Sequence, residues 1–280
     1  MRGAAGGGDS PAPSDLGARF GPYFALDVLT PSLFSPPAGQ PPAGWLAVAD
    51  LCDPRTGAFA RRAGAVRAAL AAGSGLAADA VDERVAVSVA QLGVCARLVA
   101  PALALTVTTG HPPRLRPELL YWRDKLGGPF PLALGGPLAP AGAAVPGAAV
   151  PGAAVPGRLA RGFVDGVLLP VVAPLVSAIE RHHPVSSKIL WGNVASGVAG
   201  AAKMIGLAEP ALAAGAWGVA GALCAGDGPL RGAGGLIAPA RFRRRSCCLI
   251  YRLDPRAHGG RASRTAYRNA LCEDCVLHRP

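Results

Sequence analysis

No glycine-rich nucleotide fingerprint occurs in this 280-residue chain: runs such as Gly232 to Gly235 do not follow a strand and open a helix in a GxGxxG pattern. No nucleotide fingerprint therefore supports an autonomous NADPH- or flavin-binding reductase. A convincing nucleophile–base arrangement is also lacking, so hydrolytic and acyl-transfer chemistry have no candidate residues. Lysine is scarce, with Lys125, Lys188 and Lys203 against 25 arginines. Together with the excess of Ala, Gly and Pro, that bias fits a GC-rich genome, and codon usage accounts for the net charge of +11 at least as well as a nucleic-acid partner does. The opening residues carry Arg2 but no apolar h-region, so no secretory signal is expected. Residues 210–226 are free of charge but consist mostly of Ala and Gly, whereas a span needs about 20 strongly apolar residues. The expectation is a cytoplasmic protein with no transmembrane span, its thiols kept reduced.

Cysteine is what the chain does concentrate. Four of its seven cysteines fall in 29 positions, as Cys247-Cys248 and Cys272-Glu273-Asp274-Cys275, while Cys52, Cys95 and Cys224 stand singly and read as small buried apolar residues. Four thiolates are what one structural metal or one small iron–sulfur cluster requires. A zinc ribbon would normally supply a second Cys-X-X-Cys or a His pair; here the partner is a vicinal pair, whose sulfurs face one site only if the backbone bends. Spacing alone leaves three readings open: an iron–sulfur cluster, zinc, and a vicinal disulfide or free thiols. His258 and His278 lie near enough to replace a cysteine as ligand, but four cysteines make that unnecessary. Residues 241–280 also hold ten arginines against Asp254, Glu273 and Asp274. Such a cationic shell would stabilise a thiolate-ligated two-iron cluster, whose net charge is about −2, and would favour its reduced form.

The segment from Arg244 to Arg252 (RRSCCLIYR) with Cys272 to Leu277 (CEDCVL) resembles the C-terminal [2Fe-2S] signature of FhuF-like ferric-siderophore reductases, in an actinobacterial-type form. Leu190 to Ser196 (LWGNVAS) is similar to a second motif, on the helix that precedes the cysteine module in that family. With looser similarity from about Asp82 onward, the resemblance covers roughly two thirds of the chain. It implies that Cys247, Cys248, Cys272 and Cys275 hold a [2Fe-2S] cluster, with no catalytic residue beyond it. It further implies that the protein reduces a ferric siderophore with electrons from an external donor of ferredoxin or flavin-reductase type. The connection Asp254 to Ala270 is longer and richer in arginine than the family's usual one. The alternative is a zinc-binding, arginine-rich module for nucleic acid or protein; a cluster protein serving another electron acceptor is a third reading.

The expected fold class is α+β, predominantly helical: a tail over 1–18, a helical body over 19–240 with one small β-hairpin, and a cysteine module over 241–280. Residues 23–29 read as a short strand or a packed segment, and 31–42 as a proline-rich connection. A helix is expected over 56–72, with Phe59, Val66 and Leu70 on one face. A second is expected over 82–99, capped by Asp82, striped by Val85, Val89, Leu92, Ala96 and Val99, and ended or disturbed by Pro101. Residues 119–122 and 130–134 flank a turn at Gly127-Gly128-Pro129, with Pro131 favouring an edge strand. Residues 142–156 are three copies of Gly-Ala-Ala-Val-Pro and read as a surface loop. Helices follow over 163–181 and from a Ser186 cap, the latter striped by Leu190, Val194, Val198, Ala201 and Ile205, with small residues from Gly192 to Gly200 allowing close approach. A last helix starts at Pro210 and ends at Gly226-Asp227-Gly228-Pro229, which opens a linker to the cysteines. Trp191 and Asn193 could line a chelate pocket or touch the cluster, but core packing is the simpler reading; His182 and His183 could bind metal, but a solvated helix end is the simpler reading.

Overall fold

The computed structural model describes residues 12–29, 41–136, 138, 156–254 and 271–278. Most of the repeat loop, most of the proline-rich connection, most of the arginine-rich connection and the first eleven residues lie outside that set. The architecture is predominantly helical with two small sheets. In chain order come α1 (Leu16–Phe20), β1 (Asp27–Val28), β2 (Leu46–Ala47), α2 (Ala58–Ser74), α3 (Glu83–Thr109), β3 (Leu120–Trp122) and β4 (Leu132–Leu134). They are followed by α4 (Pro156–Phe163), a π-type stretch Val164–Val172, α5 (Ala173–His182), α6 (Ser187–Ala208), α7 (Pro210–Ala225), β5 (Gly234–Ala238) and β6 (Arg241–Arg244).

Helices α3 and α6 form the central pair. The small-residue reading of α6 holds at Gly197, where an added Cβ would stand 3.0 Å from the Ala96 Cα, and the expected stripe from Leu190 to Ile205 is buried. Pro101 does not end α3. The helix runs on to Thr109 and stops at Gly110, whose φ of 73° is the left-handed cap conformation. A proline inside a helix costs about 3 kcal/mol, and α3 is buried on nearly every face around it, so packing outweighs the lost hydrogen bond. Asp82 caps the helix as expected, accepting from the Arg84 amide at 2.9 Å.

Pro170 is accommodated differently. It has no N–H to give the Gly166 carbonyl, and the Leu115 amide donates to that carbonyl instead, at 2.8 Å. The crossing segment comes so close that a Cβ on Gly166 would sit 2.3 Å from the Pro113 carbonyl oxygen. The helix therefore widens into the π-type stretch and continues as α5.

Several expectations are corrected. Residues 12–18 are not a tail: Leu16 and Phe20, one turn apart, are buried in the core, and Arg19 pairs with Glu209. The hairpin β3–β4 is the middle of a four-stranded sheet, ordered β1-β4-β3-β2. β4 is thus not an edge strand; Pro131 lies just before it, and only its carbonyl is used, by the Arg123 amide. Ser186 occupies the cap position of α6 without a side-chain bond; Glu180 accepts from the Ser187 amide there, at 3.2 Å. The linker after α7 is a second hairpin, β5–β6, which the boundary at 240 would cut in two. Gly234 belongs in that strand because the Phe242 ring covers it, 2.2 Å from where a Cβ would be.

One buried cation was not anticipated. Arg97 on α3 donates to the Tyr23, Ala25 and Phe130 carbonyls, tying the amino-terminal segment and the sheet to the central helix. Burial pulls its pKa down to about 10, against the favourable charge of Asp27. Two helical runs, Glu83–Thr109 and Pro156–His182, are long and apolar enough to cross a membrane by length and composition; 78% and 56% of their most apolar windows are buried inside the protein.

Candidate metal centre

Two loops meet at the end of the α3–α6 pair. The first follows β6 and carries Cys247 and Cys248. Leu249 behind them has φ of 71°, an uncommon left-handed value for a branched residue, which supplies the bend that a vicinal pair needs. The second is the turn Cys272 to Cys275, closed by the Cys275 amide on the Cys272 carbonyl at 3.0 Å and docked by the Arg244 amide on the Asp274 carbonyl at 3.0 Å.

The sulfur atoms that come together belong to different loops: Cys248 Sγ and Cys272 Sγ are 3.7 Å apart. Two sulfurs at metal–sulfur distances of about 2.3 Å on one tetrahedral ion are separated by about 3.8 Å. The spacing therefore lets these two thiolates share one metal. Among the described residues no group of three or more His, Cys, Asp or Glu is gathered as a metal site. Cys247 and Cys275 each receive a backbone amide from two residues on, Leu249 at 3.3 Å and Leu277 at 3.5 Å. Cys248 and Cys275 are buried, whereas Cys247 and Cys272 keep partial exposure.

Arg244 is the side chain that joins the loops to the body. It is 1% exposed, and its Nη2 donates to Cys272 Sγ at 2.8 Å while its Nη1 donates to Asn193 Oδ1 at 2.8 Å. Its Nε lies 3.3 Å from Asp274 Oδ2 without hydrogen-bond alignment. Asn193 Nδ2 faces the Ser88 carbonyl, Ser88 Oγ and Gln91 Oε1 at 2.9–3.0 Å, and Ser88 Oγ donates to the Cys248 carbonyl at 2.9 Å. Buried polar groups are costly unless partnered. This run of α3, α6 and β6 residues is partnered almost throughout, and it terminates on the sulfurs.

The electrostatics follow from that contact. Hydrogen bonds from the Cys247 and Cys272 thiols hold Cys248 well below the usual thiol range against the cost of burial, and the Arg244 charge adds to them. The same bonds push Cys247 and Cys272 well above that range. Burial opposes the charge on Arg244, but Asp274, Cys248 and Cys272 more than offset it and raise its pKa.

Gly192 and Asn193 of the Leu190 to Ser196 motif both serve this junction. An added Cβ at Gly192 would lie 2.1 Å from Ser246 Oγ, so glycine lets the cysteine loop lie on α6 with the Ser246 hydroxyl where it is. Asn193 is a core residue, as expected, but its partners reach through Arg244 to the site. Trp191 is half-buried: it packs against the core and also lines a groove. His278 puts Nε2 2.9 Å from the Cys272 carbonyl and is turned to backbone, not to the sulfurs; His258 lies outside the described residues. His183 contacts Glu83 at 3.3 Å and the edge of Phe59, so it is packed rather than solvated. Cys52, Cys95 and Cys224 lie in or against the core as expected.

Ser88, Gln91 and Arg244 were not assigned roles from sequence. The signal was there for two of them: Ser88 and Gln91, three residues apart, are polar positions in the mostly apolar first half of α3. Compared with known proteins, the chain matches no family model and no curated protein.

Proposed function

We propose that Cys247, Cys248, Cys272 and Cys275 hold a [2Fe-2S] cluster and that the protein reduces chelated ferric iron with electrons from an external ferredoxin- or flavin-type donor in the cytoplasm. The observation that carries the reading is the sulfur pair at 3.7 Å, drawn one from each loop, with a buried guanidinium on one of its members. A vicinal pair, whose sulfurs face one ion only if the backbone bends, suits a two-metal cluster, whose ligands are spread over two irons, better than a single zinc.

When bound, such a cluster supplies a one-electron couple. The chain's own contributions are separate and specific. Arg244 donates to Cys272 and places a positive charge where added negative charge would accumulate. Asn193 fixes the plane of that guanidinium, and the Leu249 and Leu277 amides donate to Cys247 and Cys275. Burial of Cys248 and Cys275 limits water, while the exposed side of Cys247 leaves an edge for a donor or acceptor. Ferric iron in a siderophore is held by hard oxygen donors, and the softer, less charged ferrous ion is held less well, so reduction alone releases it. No acid, base or nucleophile is required.

Iron, sulfide and zinc analysis of anaerobically purified protein tests the ligand assignment. Two irons and two sulfides per chain with visible absorption are expected; one zinc in a colourless protein would replace the reading with the zinc module. Titration of the reduced protein with ferric chelates then tests the reaction. If none reoxidises it, the siderophore assignment fails and another acceptor must be sought.

A further inference from the structure

Beside the first cysteine loop lies an open groove of about 300 Å³, walled by the first turns of α6 and by residues 229–233 and 245–246. Its charged side chains, Lys188, Arg231 and Arg245, are all cations and all exposed. Lys188 and Arg245 have no ion partner among the described residues. Arg231 meets Asp227 at 3.1 Å, but that carboxylate is 96% exposed and holds it weakly. The Glu180 carboxylate near the start of α6 is engaged by the Ser187 amide. Phe242 and Arg244 are buried, so alternation along β6 turns Arg243, and Arg245 just beyond the strand, to the opposite face. A second groove, at the other cysteine loop, is balanced: Lys203 and Arg241 line it with Glu273 and Asp274, and Lys203 is tied to Glu273 at 2.7 Å.

The cationic face borders the accessible edge of the candidate centre. Arg245 and Ser246 lead directly into Cys247, the partly exposed thiol of its pair. Electron transfer between proteins weakens steeply with separation, so a carrier must seat beside that edge. The chain has no nucleotide fingerprint with which to collect electrons itself. Trp191 lines the same groove, and Trp and Arg are the residue types that most often anchor a protein partner.

Resting on the function proposed above, we infer that this face is where the electron donor docks, and that the donor is an acidic one-electron carrier protein. Electron-transfer complexes bury less than about 1,200 Å² and rely on complementary charge, so a small cationic face around one thiol suffices. Carboxylates of the carrier meet Lys188, Arg231, Arg243 and Arg245, and the apolar middle of its docking face packs on Trp191. The reduced carrier passes one electron to the oxidised centre and leaves oxidised; no bond is made or broken. Arg244 is buried on the other side of β6, out of the partner's reach, so docking leaves in place the cation that favours the reduced centre. The ten arginines of residues 241–280, against three acids, extend the attraction into solvent and speed encounter.

A flavodoxin, a small acidic carrier whose flavin colour reports its own loss of an electron, serves as the probe. Stopped-flow reduction of the full cluster-loaded chain by reduced flavodoxin is expected to slow steeply as ionic strength rises. In the Lys188→Glu/Arg245→Glu double variant the rate constant at low salt is expected to fall at least about tenfold, with iron and sulfide content and circular dichroism unchanged. Lys188→Gln/Arg245→Gln, which removes the charges without reversing them, is expected to fall between. Reduced methyl viologen, a small cation that needs no docking face, is expected to reduce the double variant at least as fast as wild type. A flavodoxin rate that ignores salt, or that is equal in wild type and double variant, overturns the proposal, as does a double variant slowed equally toward both reductants. A double variant that loses only its reoxidation by a ferric chelate, or only its retention of duplex DNA, gives the face to that ligand and also overturns it. The two readings fail separately, because isothermal titration with oxidised flavodoxin reads docking without electron transfer. A zinc-carrying chain that still binds it in a salt- and charge-dependent way refutes the redox function and keeps the docking face. A cluster-loaded double variant reduced by flavodoxin as fast as wild type keeps the function and refutes the face.

Discussion

Arg244 is placed to control the sulfurs it touches. Replacing it with Met removes a buried charge and leaves Asn193 Oδ1 and Asp274 facing apolar surface. Breaking such a contact costs on the order of 3 kcal/mol, so a fall of that size in urea-unfolding stability is expected. The redox consequence is separable. Loss of the cation makes the reduced state less favourable, and a tenfold shift toward the oxidised form, about 59 mV for a one-electron couple, is expected in a potentiometric titration. Arg244→Lys, which keeps the charge, should recover most of the potential. An unchanged potential in the Met variant would reduce Arg244 to a structural clasp. At the three single cysteines, burial pushes Cys52 and Cys224 up to about 11 and Cys95 up to about 12, from an ordinary 9.0. A raised folded-state pKa means the unfolded chain loses its proton first. These thiols therefore support the fold fully below pH 9, and that support is lost as pH rises through 9 toward 11–12. Native protein at pH 8 should leave the buried Cys95 and Cys224 unlabelled by a thiol reagent until it is unfolded, and the unfolding midpoint should fall less between pH 8.5 and 10.5 in Cys95→Ala than in wild type. Roles of this kind were half legible. The cysteines announce themselves by type and spacing, whereas Arg244 is one of ten arginines among the last forty residues, and nothing in its neighbours marks it as buried.

Between elements, the contact that matters is α6 against the cysteine loop. Gly192→Ala puts a Cβ 2.1 Å from Ser246 Oγ, with the Ser246 Cβ at 3.4 Å, so the Ser246 hydroxyl, which has no hydrogen-bond partner among the described residues, must turn away. Overpacking relieved by one side-chain rotation falls at the low end of about 1–3 kcal/mol. Ser246→Gly in the same chain removes the obstructing atoms, so the double variant should regain most of the stability and metal content lost by the single one. Additive losses in that cycle would show that Gly192 acts elsewhere. The sequence predicts helices where apolar spacing persists, and α2, α6 and α7 appear near the expected bounds. It mispredicts where a rule about one residue type meets a tertiary exception. Pro101 sits in a helix buried all round, and Pro170 gives up a hydrogen bond that Leu115 replaces from another segment. The β5–β6 hairpin has two glycines and three arginines in its strands, and the Phe242 ring lying over Gly234 helps explain why it is a sheet.

At the scale of the whole molecule, residues 271–278 are held to the body by the Arg244–Asp274 backbone bond, the Arg244–Cys272 contact and the Lys203–Glu273 pair. The last of these is exposed and contributes little. Bound metal would supply the rest, since binding free energy at a site made from two loops is also folding free energy. Removing it by acid or chelator should raise amide exchange in 271–278 and 246–250 while α3 and α6 stay protected, as measured by native-state hydrogen exchange. Uniform loss of protection would mean that the metal holds the entire fold. By itself the sequence determined the gathering of four thiols in two short segments and the helical character of the body, because both follow from residue identity and local spacing. Only the tertiary structure decided which sulfurs meet, which arginine is buried against them, and which basic side chains are left to face a groove. Those outcomes depend on chain segments tens to over a hundred residues apart, whose approach is set by packing around α3 and α6, and no local pattern records it.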